Sequence, residues 1–317
     1  MALKAYFEPG DEILVNGFTC YAVYEAVTAA GLTPVFVDIT KEDLNFSVET
    51  LEAALATGKN VRGIIIQNTL GNPVDIQAVE TFAREHELII IEDLAHCTGV
   101  RYKDMRDVGM VGAACALSFG KDKSIDTISG GAVILREPCK HEVKAPDLLP
   151  RPSDHLRARF YPLFGAMSRG LSYIGVGGAL MLGLVKIRWV ERSADNKLDL
   201  KRRPSKFEAK LALKQLKRLR RNGEPILRDY CFVHDRSKLL KKLQKKGYYF
   251  SGFWYEKPVS PTRYYKKVHF PEVNCPNAVY AAEHIINLPN YYTRRDLATA
   301  YKIIKDYQEE GDKYEEQ

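Results

Sequence analysis

The first 135 residues alternate apolar runs with stretches of helical periodicity. Glu12–Val15 reads as a strand, and Tyr21–Ala30 as a helix stopped by Gly31, since glycine accepts the positive φ of a helix C-cap. Pro34–Asp38 (PVFVD) is a strand, Ser47–Ala56 a helix capped by the Ser47 hydroxyl, and Arg62–Gln67 a strand again. Ile76–Glu87 is helical, and Glu87–Asp93 is a continuous apolar run that ends in two acids. Ala113–Phe119 and Gly131–Leu135 complete the set. Continuous apolar strands separated by helices predict a largely parallel sheet buried on both faces. Such sheets bind ligands at the carboxyl ends of their strands.

The pattern then changes. Residues 136–204 read as a linker or insertion, basic and Pro-containing, around the apolar stretch Leu171–Ile187. That stretch is short for a membrane span, Gly-rich, and carries Ser172, Tyr173 and Lys186, so a buried or interface helix is expected. A membrane partner is not expected, although Arg169, Lys186 and Arg188 leave peripheral contact open. From Ser205 to Arg221, Ala209, Ala212, Leu213, Leu216 and Leu219 form one helical stripe among seven basic residues. Residues 205–317 mix helices with short Tyr-rich segments, as a smaller α/β domain would, after a large domain at 1–135.

Composition narrows the class. The chain has 317 residues, 45% hydrophobic and 27% charged, which excludes wholesale disorder and fibrous architectures. Its six cysteines form no C-x-x-C pair, which argues against zinc ribbons and disulfide frameworks and favours a reducing, cytoplasmic compartment; no metal site is expected. The net charge of +7 hides an asymmetry. Residues 1–150 hold 13 Lys/Arg against 22 Asp/Glu, and residues 151–317 hold 34 against 18. Most of the basic charge reads as solvated helix faces. A phosphorylated ligand is the anionic partner expected for the rest, and no nucleic-acid motif is present.

Four residues carry candidate chemistry. Asp93 ends the most apolar strand and so protrudes from the sheet's carboxyl edge, with His96 three residues on. Ser118 stands at the end of the Ala113–Phe119 strand, and Lys123 in the turn that follows. A carboxylate, an imidazole, a hydroxyl and an amine thus converge where such sheets bind ligands. The fragment Gly175–Gly178 has no strand before it and lacks the third glycine of a dinucleotide fingerprint, so it is set aside.

The runs GDEILVNGFTCYAVYEAVTAAGLTPVFVDI, IIIEDLAHCTGVRYKDMRDVG and ALSFGKDKSIDTISGGAVIL resemble the DegT/DnrJ/StrS sugar aminotransferases, and CPNAVYAAEHIINLPNYYTRRDL resembles that family's C-terminal element. The similarity is dense over Gly10–Leu135, patchy over 205–225 and 248–300, and thin between. The resemblance implies an α/β fold of the pyridoxal 5'-phosphate (PLP) fold-type-I class. The activity implied is transfer of an amino group, with glutamate as the expected donor, to a nucleotide-linked keto sugar by a homodimer. It assigns Asp93 to the pyridine nitrogen, His96 to the ring oxygen, Ser118 to the phosphate, and Lys123 rather than Lys121 to the Schiff base. A dehydratase branch carries histidine in place of that lysine, and this chain keeps lysine. Where the family places an aromatic over the ring, this chain has Cys20, with Phe18 and Tyr21 close by. The start MALKA resembles the tail of the family helix that follows a Gly-Ser/Thr-x-Ala-Leu phosphate-binding turn. Without that turn the chain is expected to hold PLP weakly, and a catalytically impaired binding or scaffold protein is the alternative.

Overall fold

The structure is a computed structural model that describes residues 1–120, 123–127, 130–172, 176–187, 189, 203–222, 228–246, 248, 254–288 and 294–315. Its central sheet has six strands: β1 (Glu12–Asn16), β3 (Thr33–Val37), β4 (Val61–Ile66), β5 (Ile89–Asp93), β6 (Ala114–Ser118) and β7 (Gly131–Leu135). They lie in the order β3-β1-β4-β5-β6-β7, all parallel except β7, which returns antiparallel to β6. Each strand read from the sequence is present, with ends within two residues of the expected ones.

Side-chain alternation divides this sheet between two cores. Ile13 and Val15 of β1 and Ile65 of β4 join α1 (Ala2–Tyr6) and α2 (Tyr21–Ala29) on one face. Leu14, Ile64 and Ile66 join α3 (Val48–Leu55) and α4 (Ile76–Glu85) on the other. Both faces are covered over β1 and β4, which is why those strands are apolar throughout instead of alternating; β7, the edge strand expected to be buried like the others, is exposed along its length. The helix ends follow local chemistry. Gly31, at φ +84°, closes α2, and Ser47 caps α3 in a reciprocal pair with Thr50. Asp75 caps α4 through the Ala78 N–H at 3.3 Å.

The rest of the chain folds back on this sheet. A short strand β2 (Thr19–Cys20) pairs with β9 (Val259–Ser260), ahead of α9 (Thr262–Tyr265). The helix α10 (Pro276–His284) buries Ala278, Ala281 and Ala282 in the first core, and the Asp38 carboxylate accepts the N–H groups of Asn277 and Ala278 at 3.1 and 2.9 Å. A smaller core collects Val233, Leu239, Leu243, Ile286 and Ile304 between the antiparallel pair β8 (Tyr230–Phe232) and β10 (Ile285–Asn287) and the helices α8 (Arg236–Lys245) and α11 (Arg294–Glu315).

Two sequence expectations change. Leu171–Ile187 is not one buried helix. α5 (Pro152–Ser172) ends within it and α6 (Gly177–Lys186) begins a second, with apolar side chains left exposed on both. On α7 (Lys206–Asn222) the buried side runs through Ser205, Glu208 and Ala212, whereas Ala209 and Leu213 face outward. Ala212, Leu216 and Leu219 of the expected stripe do face inward, and Ser205 and Glu208 join that side because they form a reciprocal capping box at the start of the helix.

Glu92 is the penultimate residue of β5 and is completely buried. Its carboxylate accepts four hydrogen bonds, from the Tyr102 hydroxyl and the N–H groups of Gly109, Val111 and Gly112, at 2.7–2.9 Å. Glu92→Ala strands those donors and should cost about 3–5 kcal/mol, the scale for breaking a buried charged network. Glu92→Gln sets an amide NH₂ against a backbone donor and should recover only part of the loss. Urea denaturation measures both; an alanine cost below about 1 kcal/mol would mean that water replaces the carboxylate.

Candidate active site

Asp93 and Ser118 end adjacent parallel strands, with Asp93 registered against Ala116, so both stand at the carboxyl edge of the sheet. One Asp93 oxygen accepts the Ala95 N–H at 2.9 Å, and no hydrogen bond to the other is found among the described residues. The Ser118 hydroxyl accepts the Gly120 N–H at 3.4 Å. Beyond β6 the chain turns, the Lys123 N–H bonding to the Gly120 carbonyl at 3.3 Å. Gln215 of α7 exchanges two hydrogen bonds with the Asp126 backbone, and the Tyr161 hydroxyl of α5 donates to the Asp126 carboxylate. Ile125 is buried. The loop carrying Lys123 is therefore fastened from two helices.

His96 is buried in the turn after β5. Its Nδ1 accepts the Leu70 N–H at 3.2 Å, which leaves the proton of a neutral ring on Nε2, where it donates to the Tyr255 hydroxyl at 3.1 Å. Burial pushes the His96 pKa well below the usual value, helped by the charges of Lys123 and Arg228. The indole of Trp254 stacks on the imidazole at 4.9 Å and 13°. Lys123 Nζ lies 4.3 Å from the Trp254 ring centroid and the Arg228 guanidinium 4.0 Å from it. Asn287 ties this corner together. Its Oδ1 accepts from Arg228 at 3.0 Å and from the Trp254 N–H at 3.2 Å, and its amide donates to the Trp254 carbonyl.

Asp93, His96 and Lys123 share one electrostatic environment. Burial raises the Asp93 pKa, opposed by the Ala95 N–H and the Lys123 charge. Burial likewise raises the Cys20 thiol, with Lys123 opposing, so Cys20 is a neutral wall residue. Phe18 meets Tyr255 edge-on at 5.3 Å and Tyr21 stacks on Tyr264 at 4.5 Å. It is Trp254 that presents its ring face to Lys123. Lys121 lies outside the described residues. Arg228, Trp254, Tyr255 and Asn287 were missed from the sequence, where each is an isolated residue far from the strand ends. No local signal marks them, since Arg228 and Asn287 lie 26 and 33 residues from Trp254 along the chain. The set provides a carboxylate, a neutral imidazole and an amine around an aromatic face, which suits proton transfer on a bound cyclic cofactor.

Residues 1–145 match the DegT/DnrJ/EryC1/StrS aminotransferase family. A pleiotropic regulatory protein of Geobacillus stearothermophilus is 32% identical over 127 residues, covering 40% of this chain and 33% of that protein. The spore coat polysaccharide biosynthesis protein SpsC of Bacillus subtilis is 34% identical over 132 residues, covering 41% and 33%. The match thus spans about a third of the length of these relatives. Among solved structures, the putative sugar aminotransferase Spr1654 of Streptococcus pneumoniae in its PMP form superposes with a TM-score of 0.67 at 19% identity, over 98% of this chain and 86% of that one. A DegT DnrJ EryC1 StrS aminotransferase from Brucella abortus gives 0.64 at 20% identity, over 97% and 84%. The fold is that of the fold-type-I PLP-dependent aminotransferases.

The buried neutral His96 makes stability depend on pH. Its folded pKa lies well below the unfolded value of about 6.5, so the unfolded chain binds the extra proton and stability falls as pH drops through that window. Thermal melts between about pH 6.5 and 5 should show a loss approaching about 1.4 kcal/mol per pH unit from this group. His96→Gln should flatten that part of the slope. An unchanged slope in the variant would mean that His96 titrates normally.

Proposed function

The chain being related through residues 1–145 to the DegT/DnrJ/EryC1/StrS aminotransferases, we propose that it is a PLP-dependent aminotransferase acting on a nucleotide-linked keto sugar, with glutamate as amino donor. The observation that carries this reading is geometric: Asp93 and Ser118 end adjacent parallel strands, and Lys123 and His96 both lie against the Trp254 ring, at 4.3 and 4.9 Å. The biosynthetic context proposed is amino sugar or surface polysaccharide, as the name of the Bacillus subtilis relative suggests. We assign the cofactor domain to residues 1–135, a connecting region to 136–204 and a small domain to 205–317, and the working form to a cytoplasmic homodimer.

The residues fit PLP by their chemistry. Asp93 keeps one oxygen free of protein donors among the described residues. Ser124 Oγ, beside the lysine, is buried without a hydrogen-bond partner among them. When bound, PLP supplies an electron sink for charge developing at the substrate carbon. Asp93 would hold a proton at the pyridine nitrogen, where a positive charge would offset the cost of burying its carboxylate. Lys123 Nζ is the amine that retains the cofactor and moves the proton at the substrate carbon. Ser118 and Ser124 are the hydroxyls for the phosphate. His96, held neutral with its two ring nitrogens engaged by Leu70 and Tyr255, would flank the ring oxygen without adding charge. Trp254 and Tyr255 exclude water from that side.

Borohydride reduction of the PLP-loaded protein followed by peptide mapping should label Lys123. A label on Lys121, or full activity in Lys123→Ala, would sink the assignment. Asp93→Ala should lower turnover by about 10²–10³-fold, the effect of removing a preorganised electrostatic group. Bound PLP without any glutamate-dependent amino transfer would favour the binding-protein alternative.

A share of the basic charge in residues 151–317 is assigned to the diphosphate of the substrate. Calorimetric titration should therefore detect a nucleoside diphosphate more readily than a random oligonucleotide. Tight, salt-sensitive oligonucleotide binding alone would count against the substrate class.

A further inference from the structure

The helices α5 and α6 form a hairpin whose inner side is small. Its apolar cluster centres on the buried Tyr161 and Leu184, joined by Phe164, Leu180, Met181 and Trp189. On the outer side of α5, Leu156, Phe160, Leu163 and Met167 are all exposed, Leu163 by 53%. At 100° per residue these four positions fall within about 60° of one another, on a single face. That face is well separated from the one holding Ala158 and Tyr161, which are buried. On α6, Leu182 is 58% and, just beyond its end, Ile187 is 63% exposed. A helix of a water-soluble protein normally places charged residues where these leucines stand.

Charge identifies what covers the face. Across α5, α6 and α7 the sequence carries eleven Lys/Arg and two acids, Asp154 and Glu208. Glu208 is buried, its carboxylate accepting the Ser205 N–H at 2.7 Å. Arg159 stands exposed at the edge of the apolar stripe, Lys186 is exposed near Ile187, and α7 packs against α5 with Lys206, Lys210, Lys214 and Lys217 exposed. A second copy seated on this face brings two basic rims together, and like charges oppose that pairing. A nucleic acid satisfies the charges but leaves the leucines in water. An anionic lipid surface satisfies both, taking the apolar stripe to the level of the acyl boundary and the basic rim to the headgroups. No described helix is long and apolar enough to cross a membrane, so the contact lies in the plane of the interface.

We infer that the α5–α6 hairpin is a peripheral membrane anchor, binding the surface of an anionic bilayer through Leu156, Phe160, Leu163, Met167, Leu182 and Ile187 with a basic rim. The anchor is joined to the candidate site. Tyr161, on the inner side of α5, donates to Asp126 in the loop that carries Lys123, so a docked hairpin holds that loop toward the membrane.

The test uses the full chain and sedimentation with large vesicles, of phosphatidylcholine alone or with one third phosphatidylglycerol. The protein should sediment with the anionic vesicles, about tenfold more weakly with the neutral ones, and less as salt is raised. A variant combining Leu156→Ser, Leu163→Ser and Met167→Ser changes only exposed positions. It should keep the parent's thermal midpoint and lose binding by about tenfold or more. Arg159→Glu with Lys186→Glu should weaken binding to anionic vesicles only. Absence of binding to either vesicle, equal binding to both, or full binding by the serine variant would each overturn the anchor. Sedimentation velocity without lipid supplies the remaining control. A dimer that the serine substitutions dissociate, in a chain that ignores vesicles, would assign the face to a second copy.

Discussion

Two consecutive carboxylates close β5, and because neighbouring side chains on a strand point to opposite faces, they cannot share an environment. The protein treats them oppositely. Glu92 is sealed inside the second core and meets four donors, three of them backbone N–H groups of residues 109–112. Asp93 receives one N–H and feels the positive charge of Lys123 at the sheet edge. The fully satisfied acid fixes the strand end and the following loop in place. The other is thereby held, incompletely satisfied, at a position where burial raises its pKa and an opposing positive charge is the remedy.

The surroundings of Asp93 come from distant parts of the chain. The Asn287 side chain of β10 positions Trp254, and Trp254 in turn lies over His96 with two cations against its indole. Positive charges near an imidazole disfavour its protonation, and the Leu70 N–H already occupies Nδ1. The ring is consequently a fixed, neutral donor. With His96 fixed in its neutral form, the Lys123 amine would be left as the group able to take up and release a proton.

The loop that carries Lys123 connects this site to the middle of the chain. Gln215 holds the backbone of Asp126 and Tyr161 holds its carboxylate, so α7 and α5 are mechanical supports of the site as well as surface helices. Their outer sides have a different composition. α5 and α6 present apolar side chains to the outside and α7 presents lysines, a division that a single solvated surface does not need. One element thus supports the lysine loop with its inner face and offers a binding surface with its outer one.

Local pattern determined the layers of this protein and the strand ends that bear Asp93 and Ser118. Sequence-continuous apolar runs and capping residues such as Ser47 and Gly31 act over a few residues, so they are legible without a fold. His96 and Lys123 were legible for the same reason, being within a few residues of those ends and carried by motif spacing. Tertiary structure alone decided the remainder. Tyr255 reaches His96 across 159 residues of sequence, and Arg228 and Trp254 meet through Asn287, pairings that no local periodicity encodes. The stripe of α7 was only partly legible: Ala212, Leu216 and Leu219 face inward as read, whereas Ala209 and Leu213 face outward, because Gln215 turns the helix toward the Asp126 backbone. The apolar run at Leu171–Ile187 was misread for another reason. Sequence records which residues avoid water, whereas the packing of α6 on a narrow strip of α5 decides which of them the protein itself covers.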